Sequence, residues 1–461
     1  MYKKERFSVL NYICLQDNLY LNPNKHIFIY THKITPRVKY IFNLILKDCL
    51  GLEFSLTNNI DDYKSFEGNK FSYTNQEVES NFHFSAHTLL FESGIKEQTL
   101  QMQNHESYFK YFFKTYNSLL PFDLFAASFY LVSRYEEYLP FLPDAFNRFE
   151  AENSLAYQYD FLNIPLVNLW INEFEKTLLK KFPNLITTHK PYSFVSTIDI
   201  DTAYKYQEKG VMRSVGGYLK SILKIDKADL KQRTAVLLGK EKDPFDSYDY
   251  QLEIQKKYKL KVIYFFLLGD YGMNDKNHPS NNYGFQQLIK HLSDYATPGI
   301  HPSFGSNGNI NQVKVEINRL AKITHREIFN SRQHFSMLKF PDTYSTLLEL
   351  GITHDYSMGY SRFNGFRASF CLPFYWYDLD DELETGLKIH PFCLSETTLR
   401  FKDKASPNNI SEFAKPIINE VKKYNGELIT IFHNDTMGTS VEWIEWKNVY
   451  ESIVQLATEK Q

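Results

Sequence analysis

The sequence predicts an α/β fold, and two observations carry that prediction. Over residues 192–461 short strand-like runs alternate with helical periodicity, the pattern of parallel strands joined by helical crossovers. Carboxylates, histidines and an arginine also gather at the C-terminal ends of those runs, the end of a parallel sheet where sites are built. The seven strand candidates are 194–200, 261–268, 299–303, 331–335, 353–357, 387–393 and 428–433. Helical stretches at 211–238, 284–295, 312–329, 343–350 and 410–424 fall between most of them. Seven units closing on themselves make a barrel one unit smaller than the eightfold one; an open doubly wound sheet gives the same alternation. No internal repeat points to a solenoid.

The preceding part, residues 1–185, reads as a smaller α/β domain. A strand is expected at 26–30 and helices at 121–139 and 165–181, the first from the helical spacing of Leu124, Phe125, Leu131, Val132 and Tyr135. Ser133–Tyr138 reads S-R-Y-E-E-Y, a charged turn expected to be a solvated helix end, with an interdomain contact as the alternative. The aromatic and Asn-rich stretch 58–84 is expected to belong to a loop-rich module rather than a substrate groove. Pro183 and Pro191 mark the boundary, giving domains 1–185 and 192–461.

Bulk charge narrows the partners. The chain has 52 Lys and Arg against 54 Asp and Glu, so no polyanion, and no nucleic acid, is expected. Aromatic residues make up 16% of the chain and serve equally as core filler or as platforms for sugar rings. Cys14, Cys49, Cys371 and Cys393 are widely spaced and are expected to be reduced thiols. Polar residues interrupt the first 24 positions before a signal-peptide core could form, and no run approaches a membrane span. A cytoplasmic protein without transmembrane segments is the expectation, with a nucleotide-linked or lipid-linked glycan precursor as the corresponding substrate. Oligomeric state is not legible.

The chemistry lies at the strand ends. Thr197-Ile198-Asp199-Ile200-Asp201 places two carboxylates at i and i+2, on one face of an extended chain, where they require a cation or a shared proton. His301 ends the third strand, Arg332 and His334 the fourth, and His433 the seventh. One carboxylate and two neutral imidazoles suit zinc or a similar divalent ion. A second carboxylate, steadied by an arginine, serves as base for a metal-bound water, and a histidine opposite serves as acid.

These residues resemble the motifs of the NodB-homology polysaccharide deacetylases, carbohydrate esterase family 4, whose domain is a distorted (β/α)7 barrel. Thr197–Asp201 resembles the first motif, T-F-D-D-[DG]. The resemblance implies that Asp199 is the general base and Asp201 a metal ligand. His301 matches the first histidine of H-[ST]-x-x-H, but Gly305 stands where the second belongs, and His334 is expected to supply that imidazole from the next strand. Arg332 is expected to orient Asp199, with Gly365-Phe366-Arg367-Ala368 closer in wording to the F-R-x-P motif but one strand later. Ile431-Phe432-His433 resembles the final L-x-H motif and makes His433 the general acid. Arg367, Trp376, Asp355 and Ser303 are expected to contact the carbohydrate. The whole chain also resembles a set of two-domain bacterial proteins of the Bacteroidetes type. Hydrolysis of an N-acyl group on a carbohydrate by one divalent metal ion is thus the leading expectation. A catalytically degenerate barrel binding a glycan or protein, and a metal hydrolase of another C–N bond, are the alternatives; two acids on one strand sit poorly across a glycosidic bond.

Overall fold

The computed structural model describes residues 22–76, 78, 82–105 and 109–459; the first 21 positions, with Cys14, lie outside them. The chain divides into two compact units, one of Met1–Tyr135, Leu166–Lys190 and Leu379–Glu384, the other of Glu136–Pro165, Pro191–Asp378 and Thr385–Gln461.

In the first unit β1 (His26–Tyr30), β2 (Glu53–Thr57), β3 (Lys70–Thr74) and β4 (His83–Ser85) form a parallel sheet in the order β2-β1-β3-β4. Stretch 58–84 thus contributes two strands as well as loops. The strands β5 (Gln103–Asn104) and β6 (Lys110–Tyr111) pair antiparallel. Helices α1 (Pro36–Phe42), α2 (Leu124–Val132) and α3 (Leu166–Lys181) supply aromatic side chains to the core. Phe42, Phe71, Phe84, Phe125 and Phe174 meet mostly edge-on or tilted, Phe42 and Phe125 at 4.5 Å, with Phe71 and Phe125 stacked, so much of the aromatic content here fills a core. Asp123 caps α2 by accepting the N–H groups of Phe125 and Ala126, and the helix stops before Arg134, whose φ is +56°. The predicted helix over 121–139 is therefore shorter than its periodicity.

All seven strands expected in the second part are present, with shifted ends. They are β7 (Ser193–Ile200), β8 (Lys261–Phe266), β9 (Thr297–Ile300), β10 (Asn330–Ser331), β11 (His354–Asp355), β13 (Leu383–Ile389) and β15 (Glu427–His433). With β12 (Phe374–Asp378) and β14 (Leu394–Ser395) they form one sheet ordered β12-β13-β11-β10-β9-β8-β7-β15-β14. The pairings from β13 through β11, β10, β9, β8, β7 and β15 to β14 are parallel. The central strands β7, β8 and β15 are buried on both faces, which is why they read as apolar runs without alternation. Val195, Ile263, Phe265, Tyr356, Phe392, Ile429 and Ile431 pack into one buried cluster on the inner face of this sheet.

The crossover helices follow their caps. The single helix predicted over 211–238 is two, α4 (Gly210–Leu223) and α5 (Lys227–Leu237), because Ile225 takes φ +55° and Asp226 starts a new helix by accepting the N–H of Asp229. Sequence periodicity missed α6 (Tyr248–Tyr258). Asn282 and Asn309 cap α7 (Tyr283–Tyr295) and α8 (Ile310–Thr324), and α8 ends at His325, φ +54°, short of the predicted residue 329. Further helices along this part are α9 (Asp342–Glu349), α10 (Glu396–Phe401), α11 (Ile410–Lys423) and α12 (Val449–Thr458). No helix among the described residues is long and apolar enough to cross a membrane.

Candidate metal centre

Strand geometry aims the site residues. Side chains two apart share a face, so the inward position of Val195 on β7 is repeated at Thr197 and Asp199 and continued at Asp201. On β15 the same alternation carries Ile429 and Ile431 to His433, which stands in register with Asp199. Ile200, Phe266, Ile300, Ser331 and Asp355 are level across five strands, so residues just beyond them meet at the sheet's C-terminal end. A cleft of about 260 Å³ opens there, lined by Asp199, Asp201, His301, Arg332, His334 and His433 together with Tyr360, Ser361, Phe392, Ser395 and Thr397.

Asp199 is buried, and its Oδ1 accepts from Arg332 Nη1 at 3.1 Å. Arg332 is itself fixed, donating Nε–H to the Tyr356 carbonyl at 3.0 Å and Nη1–H to the Thr197 hydroxyl, with its guanidinium 4.7 Å above the Phe265 ring. A charge-assisted bond to a guanidinium held in this way keeps one carboxylate oxygen occupied and aims the other into the cleft. That other oxygen, Oδ2, lies 3.9 Å from His301 Nε2.

Asp201, His301 and His334 converge so that one ligand atom from each lies within 4.8 Å of the others. His301 Nε2 is 3.3 Å from Asp201 Oδ1, and His334 Nε2 is 3.3 Å from Asp201 Oδ2. Each imidazole directs its other nitrogen at an acceptor: His301 Nδ1 lies 2.6 Å from the Arg332 carbonyl, and His334 Nδ1 lies 2.9 Å from Asp275 Oδ1. Partners at Nδ1 fix each ring's orientation and turn both Nε2 atoms to the centre, the arrangement of metal-ligating histidines. Asp201 Oδ1 is buried and accepts no hydrogen bond, as a ligand oxygen would be before its ion. Two imidazoles and one carboxylate fit a divalent ion of the zinc type.

The electrostatics agree with that geometry. Burial opposes ionisation of the Asp201 carboxyl, but the imidazoles of His334, His301 and His433 hold it well below the usual carboxylate range. Burial opposes protonation of His334, and Asp201 and Asp275 overcome it, raising that imidazole to about 9. At position 305, where the family motif has its second histidine, the backbone takes part instead: the N–H groups of Phe304 and Gly305 each donate to Asp275 at 2.9 Å, bracing the carboxylate that orients His334.

His433 stands across the cleft, Nε2 3.9 Å from Asp201 Oδ2. Its Nδ1 lies 2.7 Å from Glu396 Oε1, a buried carboxylate at the start of α10 that also accepts the His433 N–H at 2.9 Å. Burial would lower the His433 imidazole, and Glu396 followed by Asp201 and Asp199 hold it well above the ordinary value. Glu396 and Asp275 were not legible in the sequence. An acid in a helix's first turn reads as a dipole partner and an Asp in a loop as a turn former, and only spacing in three dimensions joins either to a histidine.

Four residues expected at the substrate do not line the cleft. Arg367 is buried and forked onto Glu137, Nε to Oε1 at 2.9 Å, with Nη1 on the Gly359 carbonyl. Trp376 is buried on β12 against Tyr344, rings 5.4 Å apart. Asp355 accepts from the Ser357 N–H and hydroxyl, each at 2.8 Å, and Ser303 gives its hydroxyl to Glu316 at 2.6 Å. The S-R-Y-E-E-Y segment corrects a further expectation: Ser133 to Glu137 are buried rather than solvated, Glu137 because it neutralises Arg367 and Glu136 because it accepts the Leu155 N–H. Cys49, Cys371 and Cys393 are buried.

Residues 27–183 match the model of a family of unknown function, DUF7033. No curated protein sequence matches the chain. Among solved structures, the chain is similar to one assigned as a polysaccharide deacetylase from Mycobacterium smegmatis, with 10% identity over 59% of this chain and 88% of that one and a TM-score of 0.36. It is also similar to a polysaccharide deacetylase from Bacillus cereus, with 14% identity over 58% and 85% and a TM-score of 0.27. A 4-alpha-glucanotransferase from Thermococcus litoralis aligns at 11% identity over 59% and 38%, TM-score 0.35.

Proposed function

We propose that the chain is a metal-dependent hydrolase that removes an acyl group, N-acetyl first, from a carbohydrate, on a second part (192–461) read as a distorted seven-stranded barrel. The observation that carries the reading is the convergence of Asp201, His301 and His334, each imidazole turned Nε2-inward, between a fixed carboxylate and a raised imidazole. Asp201, His301 and His334 would hold the ion. When bound, a zinc-type ion lowers the pKa of a water and polarises the acyl carbonyl. Asp199 takes the proton from the attacking water with its Oδ2 while Arg332 donates to Oδ1 and aims the carboxylate. His433, held protonated by Glu396, gives its Nε2 proton to the departing amine, so the two proton transfers come from opposite walls of the cleft. Tyr360, Ser361, Ser395 and Thr397 line the entrance and supply hydrogen-bonding groups for sugar hydroxyls. The part matched over residues 27–183 is read as an α/β module separate from this chemistry.

The test is acetate release from N-acetylated sugars and oligosaccharides by zinc-, cobalt- or nickel-loaded protein. Asp199→Asn and His433→Ala should each lower turnover by about 10²- to 10⁴-fold while retaining metal. Variants that match the parent on a substrate it turns over would rule out these roles.

A further inference from the structure

Helix α4 is built inside out. At about 100° per residue, Val211, Met212, Val215, Leu219, Ile222 and Leu223 fall within one arc of about 120° on α4. Such an apolar stripe is normally the buried one. Here it faces solvent: Met212 is 90% exposed, Leu223 84% and Val211 81%, and the turn beyond adds Ile225 at 78%. The face α4 turns inward is small and polar. Ser221, the buried residue of this helix, donates to Asp229 of α5; Tyr218 meets the Thr234 hydroxyl at 3.0 Å; Gly217 lies against the Arg233 guanidinium, leaving no room for a Cβ.

The charge around this face is predominantly positive. Residues 211–242 carry eight Lys and Arg against three Asp and Glu, in a chain whose net charge is −2. Lys220, Lys224, Lys227 and Lys231 are all exposed. An exposed apolar stripe flanked by lysines is the signature of a helix lying in the interface of an anionic bilayer, apolar side chains among the acyl chains and ammonium groups among the phosphates. A second copy of this chain fits less well, because a two-fold contact would set the same lysines against each other.

The pair also has a fixed place in the fold. It follows the C-terminal end of β7, which stops one residue beyond Asp199, at the end of the sheet where the cleft opens. Asp243 accepts the N–H groups of Lys205, Tyr206 and Gln207 in the connection, and Arg213 donates to the Asn277 carbonyl at 2.9 Å while stacking on Tyr271. We propose that α4–α5 docks the protein on an anionic lipid surface. The docking does not depend on the hydrolase reading. Its consequence, that the carbohydrate is presented at the membrane on a lipid anchor, rests on it.

The experiment is co-sedimentation of the full chain with phosphatidylcholine vesicles, with and without phosphatidylglycerol. Binding is expected to the mixed vesicles and to weaken with added salt. Leu219→Asp/Leu223→Asp and Lys220→Glu/Lys224→Glu should each reduce it by about tenfold or more. Metal content and melting temperature, measured on the same variants, should stay at the parent's values, which separates a docking defect from misfolding and from any failure of the metal site. No binding to anionic vesicles, or binding that both variants retain, overturns the proposal. So does concentration-dependent dimerisation abolished by the leucine substitutions without vesicle binding, which would identify a second copy as the occupant.

Discussion

At the scale of single residues, the account turns on second partners that hold a first group in one orientation. Asp275 touches the centre only through His334 Nδ1, and replacing it by Asn leaves the ligands in place while removing the charge behind one of them. Asp275→Asn should therefore weaken zinc binding by about 10- to 100-fold, read by competition with a chromophoric chelator; unchanged affinity would remove Asp275 from the site. Glu396→Gln withdraws the carboxylate that keeps His433 protonated. An acid that loses its proton at lower pH brings the alkaline limb of the rate profile down with it, and kcat should fall by about 10- to 100-fold; an alkaline limb that stays in place would contradict the role of His433. The pH dependence of metal uptake has a definite sign. In metal-free protein His334 is raised from 6.5 to about 9, so its contribution to stability is complete below 6.5 and lost as pH rises through 9. The same proton must leave before the ion enters. Zinc affinity should thus climb by about tenfold per pH unit between those values, and a flat profile in chelator-buffered zinc would show that His334 is not a ligand.

At the scale of elements, the sequence disclosed what parallel strands cannot hide. β7, β8 and β15 must be apolar on both faces, and the residues that break the pattern, Asp199, Asp201 and His433, stand out where the strand leaves the core. The short strands β9, β10 and β11 are two to four residues long, too brief for periodicity, and their predicted ends overran into chain that keeps single cross-strand bonds, His301 N–H to the Phe266 carbonyl and Arg332 N–H to the Ile300 carbonyl, before turning at His334–Ser336. The break between α4 and α5 was hidden because Ile225 is not a residue that advertises a left-handed turn, and Asp226 as a cap looks like any surface acid. The inner face of the strands is where stability and site meet. Phe265 is fully buried under the Arg332 guanidinium, so Phe265→Ala should cost about 3–5 kcal/mol in urea denaturation and loosen the grip on Asp199. A loss below about 1 kcal/mol would mean the cluster can close around the void.

At the scale of the whole molecule, the segment Glu136–Pro165 belongs with the second unit although it precedes α3 of the first. Glu137 forks onto Arg367, and Arg148 pairs with Asp144 and Glu150 and donates to the Phe335 carbonyl beside His334. Charge patterning could not reveal this, because S-R-Y-E-E-Y carries the same letters whether it is solvated or paired with a buried guanidinium 230 residues away. Glu137→Ala should destabilise the second unit by about 3–5 kcal/mol, seen as a lower melting temperature, and a fragment begun at Tyr192 should be less stable for the same reason. The central claim is that three side chains from three separate strand ends hold one divalent ion. Plasma mass spectrometry on the purified, zinc-reconstituted chain beside Asp201→Ala, His301→Ala and His334→Ala tests it most directly. The account predicts about one equivalent of metal in the parent and its loss in all three variants; a parent that holds no metal, or a His334→Ala variant that keeps it in full, would contradict it.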